Sequence, residues 1–185
     1  MRTLTYYIGS SLDGYIAGPS DEYDALPIEP DVSAAMNEAR PETVPTTFRE
    51  LAGLADAPNR RYDTVLMGGN TYRAGGSPSP YVHLRQCVFS STLDPNGHVE
   101  VVATDPVAFV RHLKTEAGQG IWLCGGGKLA AALASEIDEI VVKRYPVVLG
   151  GGVPMFDGPY EPTRFMLVES RAFDSGAVVQ TYRKA

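Results

Sequence analysis

The sequence predicts an α/β fold: a three-layer sandwich whose mostly parallel central sheet ends in an antiparallel C-terminal hairpin. Three observations lead there. Short runs rich in β-branched and aromatic residues alternate with segments of helical spacing through the middle of the chain. The run Ile121-Trp122-Leu123-Cys124 is apolar without alternation, the pattern of a strand covered on both faces. The last two apolar runs, over 165–170 and 178–183, flank Asp174-Ser175-Gly176, a turn sequence suited to a hairpin.

Thr3-Leu4-Thr5-Tyr6-Tyr7-Ile8 reads as the first strand. Gly9, Gly14, Gly18 and Pro19 make the next stretch a shaped loop. Four prolines, at 27, 30, 41 and 45, break residues 20–45 into short pieces. They leave room for a helix near 31–40, with Asp31 as its cap and Pro41 as its stop. Thr46 or Thr47 is placed to cap a second helix over 48–57. Thr64-Val65-Leu66-Met67 is a short strand running into Gly68-Gly69-Asn70-Thr71-Tyr72, and 74–80 reads as a loop. Strands follow over 86–90 and 99–103. Asp105-Pro106 opens a helix to about residue 117, with aspartate at the cap and proline at the first helical position. After the strand at 121–124, Gly125-Gly126-Gly127 turns the chain into a helix over 128–135. A strand over 139–145 and a second glycine triplet at 150–152 precede the hairpin. No repeat, low-complexity segment or linker intervenes, so one domain is expected over 1–185.

Apolar residues make up 44% of the chain and charged residues 21%, which suits a globular protein. No run approaches the roughly 18–20 apolar residues that span a bilayer. Met1-Arg2-Thr3-Leu4 leads straight into the first strand rather than through the zones of a signal peptide. A cytoplasmic protein with no membrane partner is expected. The net charge of −6 and the dispersal of the 16 Lys and Arg residues argue against nucleic acid and for a small-molecule partner. Cys87 and Cys124 lie in apolar strands and read as reduced, buried thiols. There is no Cys-x-x-Cys, and His83, His98 and His112 are scattered, so no metal site is expected.

Three strand ends carry similar apparatus. Met67 leads into Gly68-Gly69-Asn70-Thr71, Phe89 into Ser90-Ser91-Thr92, and Cys124 into Gly125-Gly126-Gly127-Lys128. Ligands of open α/β sheets bind beyond the carboxyl ends of strands. Glycine lets the backbone approach a ligand, and N–H groups at a helix start hold anions. One such turn is equally well explained by tight-turn geometry. Three together point to an extended polyanion such as a dinucleotide. The spacing matches neither Gly-x-Gly-x-x-Gly nor Gly-x-x-x-x-Gly-Lys-Ser/Thr.

These motifs come in a telling order. Ser10-Ser11-Leu12-Asp13-Gly14-Tyr15-Ile16-Ala17 precedes Val65-Leu66-Met67-Gly68-Gly69-Asn70-Thr71-Tyr72 and Phe89-Ser90-Ser91. Gly125-Gly126-Gly127-Lys128-Leu129 and Val148-Leu149-Gly150-Gly151-Gly152-Val153-Pro154-Met155-Phe156 follow. Together they resemble the dihydrofolate-reductase-like superfamily over nearly the whole chain. They are most similar to the reductase domain of the bifunctional riboflavin-biosynthesis deaminase-reductase and its stand-alone relatives. The resemblance implies a dihydrofolate-reductase-like fold, an NADPH-dependent reductase and a homodimer. It implies that Gly69, Asn70 and Thr71, with Ser90 and Ser91, hold the adenosine side of the cofactor. Gly125, Gly126, Gly127, Lys128 and Leu129 would hold the pyrophosphate, with a cis peptide at Gly125-Gly126. Ala17, with Ile16, would lie near the nicotinamide, and Ser11 and Asp13 would face the substrate.

The chain departs from that pattern in places. Gly69 stands where dihydrofolate reductases usually carry an arginine for the 2′-phosphate, which keeps NADH open beside NADPH. Lys128, Arg73 and Arg85 are the candidate replacements. Cys124 stands where riboflavin-pathway reductases often carry glutamate. Glu22, Glu29 and Asp31 share the region of the helix carboxylate that dihydrofolate reductases use, without a register that selects one. Asp13 is the candidate catalytic residue, as a substrate-orienting group or proton relay, or else a turn aspartate bonded to its own loop. Tyr15 is placed to stack on a flat ring, and Gly150 to line the pocket from the far side. Two functions follow: hydride transfer to a small heterocyclic or conjugated substrate, or a catalytically silent nucleotide-binding or sensor protein on the same fold. A flavin-binding protein is a third alternative.

Overall fold

The computed structural model describes residues 1–185. Its central sheet is built from β1 (Leu4–Ser10), β3 (Tyr62–Gly68), β4 (Arg85–Phe89), β5 (Glu100–Val102), β6 (Gly120–Gly125), β7 (Glu139–Arg144), β9 (Phe165–Ala172) and β10 (Val178–Lys184). The strand order is β5-β4-β3-β6-β1-β7-β10-β9. All neighbours from β5 to β7 pair in parallel, and β10 pairs antiparallel with both β7 and β9. A two-stranded sheet joins β2 (Tyr15–Ala17) to β8 (Val153–Pro154). The expected sandwich with its antiparallel C-terminal hairpin is present.

Strand alternation divides the core. Leu4, Tyr6, Leu66, Ile121 and Leu123 face one side, with Val110 and Leu113 of α4 (Pro106–Thr115) and Leu129 and Ala130 of α5 (Gly127–Ala132). Tyr7, Val65, Met67, Trp122 and Val141 face the other, with Val32 and Met36 of α1 (Pro30–Ala39). Each such fully buried apolar side chain contributes about 1.5–3 kcal/mol. The helix at Pro106 begins as expected, with the Asp105 carboxylate accepting from Val107 N at 2.9 Å. No helix is long and apolar enough to cross a membrane.

Two helix expectations change. α1 starts at Pro30 with Glu29 at its cap, so Asp31 is not the cap. Its carboxylate instead accepts from Ser175 N at 3.0 Å, fastening the β9–β10 turn to the helix start. The helix expected over 48–57 is only α2 (Thr46–Arg49). Arg49 is buried and donates to Pro41 O at 2.8 Å and Ala57 O at 2.6 Å. The chain folds back around that guanidinium in turns instead of extending as a helix.

Candidate cofactor and substrate site

Parallel pairing brings the carboxyl ends of β4, β3, β6, β1 and β7 to one edge of the sheet. Gly68 pairs with Phe89, Met67 with Gly125, and Ser10 with Arg144. The three glycine- and serine-bearing turns therefore lie side by side, in the order 89–92, 68–71, 125–128. β6 enters between β3 and β1, so this edge includes the point where strand order reverses.

At the middle turn, Gly69 opens α3 (Gly69–Ala74). A Cβ placed on Gly69 would meet Arg73 Nη1 and Ser90 Oγ, each at 3.4 Å. A guanidinium and a hydroxyl thus converge where the glycine leaves room. Ser90 Oγ accepts from Thr92 N and Leu93 N, which fixes it, while Ser91 is exposed. Asn70 is engaged by the chain itself: its amide donates to Asp21 Oδ2 at 2.8 Å and its oxygen accepts from Arg73. Thr71 reaches the next turn, its Oγ1 3.5 Å from where a Cβ would stand on Gly125 or on Gly126. The peptide between those two glycines is cis, as the resemblance implies.

The remaining residues of that turn divide by role. A Cβ on Gly127 would collide with the Pro154 carbonyl oxygen and crowd Asp157. That glycine makes room for the 153–157 segment, which is held by Asp157 N donating to Gly127 O at 3.0 Å. The Leu129 side chain is core, so only its backbone is free for a ligand. Lys128 is exposed and unpaired. The first N–H groups of a helix have no intrahelical acceptor, and here they face the turn.

Ser11, Asp13, Tyr15 and Gly150 are brought together. Ser11 Oγ donates to Asp13 Oδ1 at 2.6 Å and accepts from Tyr15 N at 2.9 Å. Asp13 also accepts from Leu149 N at 3.1 Å and Gly150 N at 2.7 Å. The Ser11 hydroxyl, with the Gly150 and Leu149 N–H groups, holds the Asp13 carboxyl below its ordinary range. An exposed, fully accepted carboxylate is not an acid at neutral pH. Asp13 clasps the loop before β2 to the 149–150 segment, which is the turn role extended across the fold. Ala17 is buried, its carbonyl filling the space beside Gly152, and Ile16 is half-buried.

Comparison with known proteins fits this geometry. The family model of the RibD C-terminal domain matches residues 2–179. The chain belongs to the RibD C-terminal domain family. It is 33% identical over 127 residues to the uncharacterized protein YwjB of Bacillus subtilis (strain 168), covering 65% of this chain and 72% of that protein. It is 27% identical over 198 aligned positions to YyaP of the same organism, covering 98% of this chain and 94% of that one. Among solved structures, a protein of Shewanella sp. PV-4 ascribed to riboflavin biosynthesis superposes with a TM-score of 0.70 at 26% identity, covering 100% and 99% of the two chains. A diaminohydroxyphosphoribosylaminopyrimidine deaminase/5-amino-6-(5-phosphoribosylamino)uracil reductase from Thermotoga maritima shares the fold, with a TM-score of 0.68 at 16% identity. This chain spans 57% of that one. The fold is dihydrofolate-reductase-like, and the family is riboflavin-pathway reductase-like.

One side chain of this RibD C-terminal domain has no counterpart among the sequence motifs. Lys143 turns inward, its Nζ 4.4 Å from the centroid of the Tyr7 ring. Alternation with buried Val141 and Tyr145 was the available signal. Cys124 is half-buried beside the Tyr81 hydroxyl, and burial pushes its thiol up to about 12, so it carries its proton. The opposite, amino end of the sheet holds a cavity of about 470 Å³ lined by Arg2, Arg40, Arg61, Arg183, Glu139 and Glu169. Its cations are largely occupied: Arg2 by Asp63, Arg183 by Glu139, and Arg40 by the Tyr62 hydroxyl.

Proposed function

We propose that the protein is a reductase that takes NADPH, with NADH as the weaker cofactor, and reduces a flat heterocyclic or conjugated C=N, C=O or C=C substrate. The observation that carries this reading is the row of strand ends β4, β3 and β6. There hydroxyls, backbone N–H groups and a guanidinium converge on glycine-lined space. The residues fit a dinucleotide in three parts. Arg73 and Ser90, meeting at Gly69, would hold the 2′-phosphate, Arg73 replacing the arginine that Gly69 lacks. Thr71 Oγ1, Lys128 and the N–H groups of Gly127 to Leu129 would hold the pyrophosphate over Gly125 and Gly126. Ala17 and Ile16 would flank the nicotinamide. When bound, the reduced cofactor supplies the hydride. Ser11, Tyr15 and Gly150 would shape the substrate wall, with Asp13 holding that wall in place. No carboxylic acid of the wall is available as proton donor, which leaves water for that role.

Titration calorimetry with NADPH and NADH, followed by cofactor oxidation with a heterocycle panel, tests the reading. Micromolar NADPH binding with turnover is expected. No binding of either cofactor at millimolar concentration overturns it. Tight binding without turnover favours the second reading, a silent nucleotide-binding protein, for which Cys124 in place of the family's glutamate speaks. The partner protein in our reading is a second copy of the chain. β9 is the outer strand, and Met166, Leu167 and Val168 are 57%, 55% and 50% exposed along it. Sedimentation is expected to give a dimer, and Leu167→Lys a monomer.

A further inference from the structure

Lys143 is paired with Gly9 near the carboxyl end of β7, on the face of the sheet that carries α1. Its ammonium lies on the ring of Tyr7, which also receives the Arg40 guanidinium at 5.4 Å. Tyr145 lies across the same strand end, its Cε2 3.1 Å from where Gly9 would carry a Cβ. Cys124, beside Tyr81, completes the surroundings. Tyr7, Tyr81 and Tyr145 are all buried. Lys143 has no carboxylate partner; Arg40 and the buried Arg49 also lack one, but the Tyr62 hydroxyl takes up the first and the Pro41 and Ala57 carbonyls the second. Glu29, at the α1 cap, bears on Tyr145 instead. Burial opposes the charge on Lys143, but Tyr7 and Tyr145 beside it outweigh that and hold its pKa above the ordinary value. A half-buried ammonium with rings and phenols around it, but no counter-ion, is an incomplete site.

We propose that Lys143 recognises the substrate, and that its missing partner is a carbonyl or ionised oxygen on a flat heterocycle, that is, a lactam. This rests on the reductase reading for the word substrate, and stands on its own as a binding site. Flatness follows from the tyrosine lining. Cys124 immediately precedes Gly125, so this strand end runs directly into the proposed cofactor turn.

The only tryptophan, Trp122, has its ring centroid 5.0 Å from that of Tyr81 and 6.2 Å from that of Tyr7, so its fluorescence reports on these rings. The cofactor-free wild type is titrated with quinazolin-4-one and with quinazoline, its counterpart lacking the oxygen. The lactam is expected to bind about tenfold more tightly. Lys143→Met is expected to erase that difference while leaving quinazoline affinity unchanged, and Lys143→Arg to retain most of it. Equal affinities in the wild type, an undiminished preference in Lys143→Met, or no lactam binding at millimolar concentration each overturns the proposal. The wild-type comparison needs no variant to fold. NADPH calorimetry on the same samples separates the two ideas. Intact NADPH binding without lactam preference overturns the Lys143 proposal alone. Lactam preference without NADPH binding overturns the reductase reading and leaves the Lys143 site standing.

Discussion

The two ends of the central sheet are made from the same strands and carry opposite chemistry. At the amino end, polar groups close on one another. Arg2 bonds Asp63, Thr64 Oγ1 and Gln119 O. The fully buried Glu42 carboxylate accepts from Arg60 N, Arg61 N and Tyr62 N at 3.2, 2.7 and 2.8 Å. Lys114 pairs with Asp138, which also accepts from Leu4 N. At the carboxyl end, Arg73, Lys128 and Lys143 have no carboxylate. A cavity alone does not mark a binding site. Cations with paired charges stabilise the fold, and cations left without counter-ions are available to a ligand.

Perturbing each end separately breaks or sharpens this contrast. The largest effect is expected from Glu42→Ala at the amino end. Three backbone donors lose a charged acceptor, at a cost of about 4 kcal/mol by urea denaturation, with NADPH affinity unchanged. Lost NADPH affinity in a folded Glu42→Ala protein would break the separation of the two ends. Next comes Gly127→Ala, whose Cβ meets the Pro154 carbonyl. It is expected to cost about 2 kcal/mol. It should also abolish NADPH binding in calorimetry, because the 153–157 segment must shift. Arg73→Ala should leave the urea midpoint in place and weaken NADPH about tenfold, about 1.4 kcal/mol, while sparing NADH. An equal loss for both cofactors would move Arg73 away from the 2′-phosphate.

The smallest effect concerns acid. The folded-state pKa values of Asp13 and Asp31 lie below the ordinary aspartate value of 3.8. Each contribution is complete above that value and is lost as pH falls through the lower folded value. Asp13→Asn should therefore narrow the fall in urea midpoint between neutral and acid pH, slightly, because the group is exposed.

What was legible in the sequence was local. The glycine turns at 68–71 and 125–128, the Asp105 cap and the final hairpin announce themselves through residue types whose conformational reasons act within a few positions. What was not legible depends on distant partners. The β2–β8 pair is too short to show alternation and exists because Gly152 admits the Ala17 carbonyl. The truncated α2 reflects a guanidinium bonded forward and back along the chain. Among the candidate site residues, the motif order located the strand ends. It could not show that Gly127 serves packing, that Asn70 is tied to Asp21, or that Asp13 is a clasp. Lys143 sat in an expected strand, but only the fold shows that no carboxylate reaches it.

The insertion of β6 between β3 and β1 also governs how the molecule can assemble. β1 is made first, yet its two strand neighbours are β6 and β7, which begin at Gly120 and Glu139. On the ribosome, β3, β4 and β5 can zip together while the first strand waits unpaired, more than a hundred residues behind its partner. The edge that carries the candidate site is therefore completed only when β6 inserts between β3 and β1. A nascent chain released before Gly120 would leave an apolar first strand with nothing to hold, a natural substrate for chaperones.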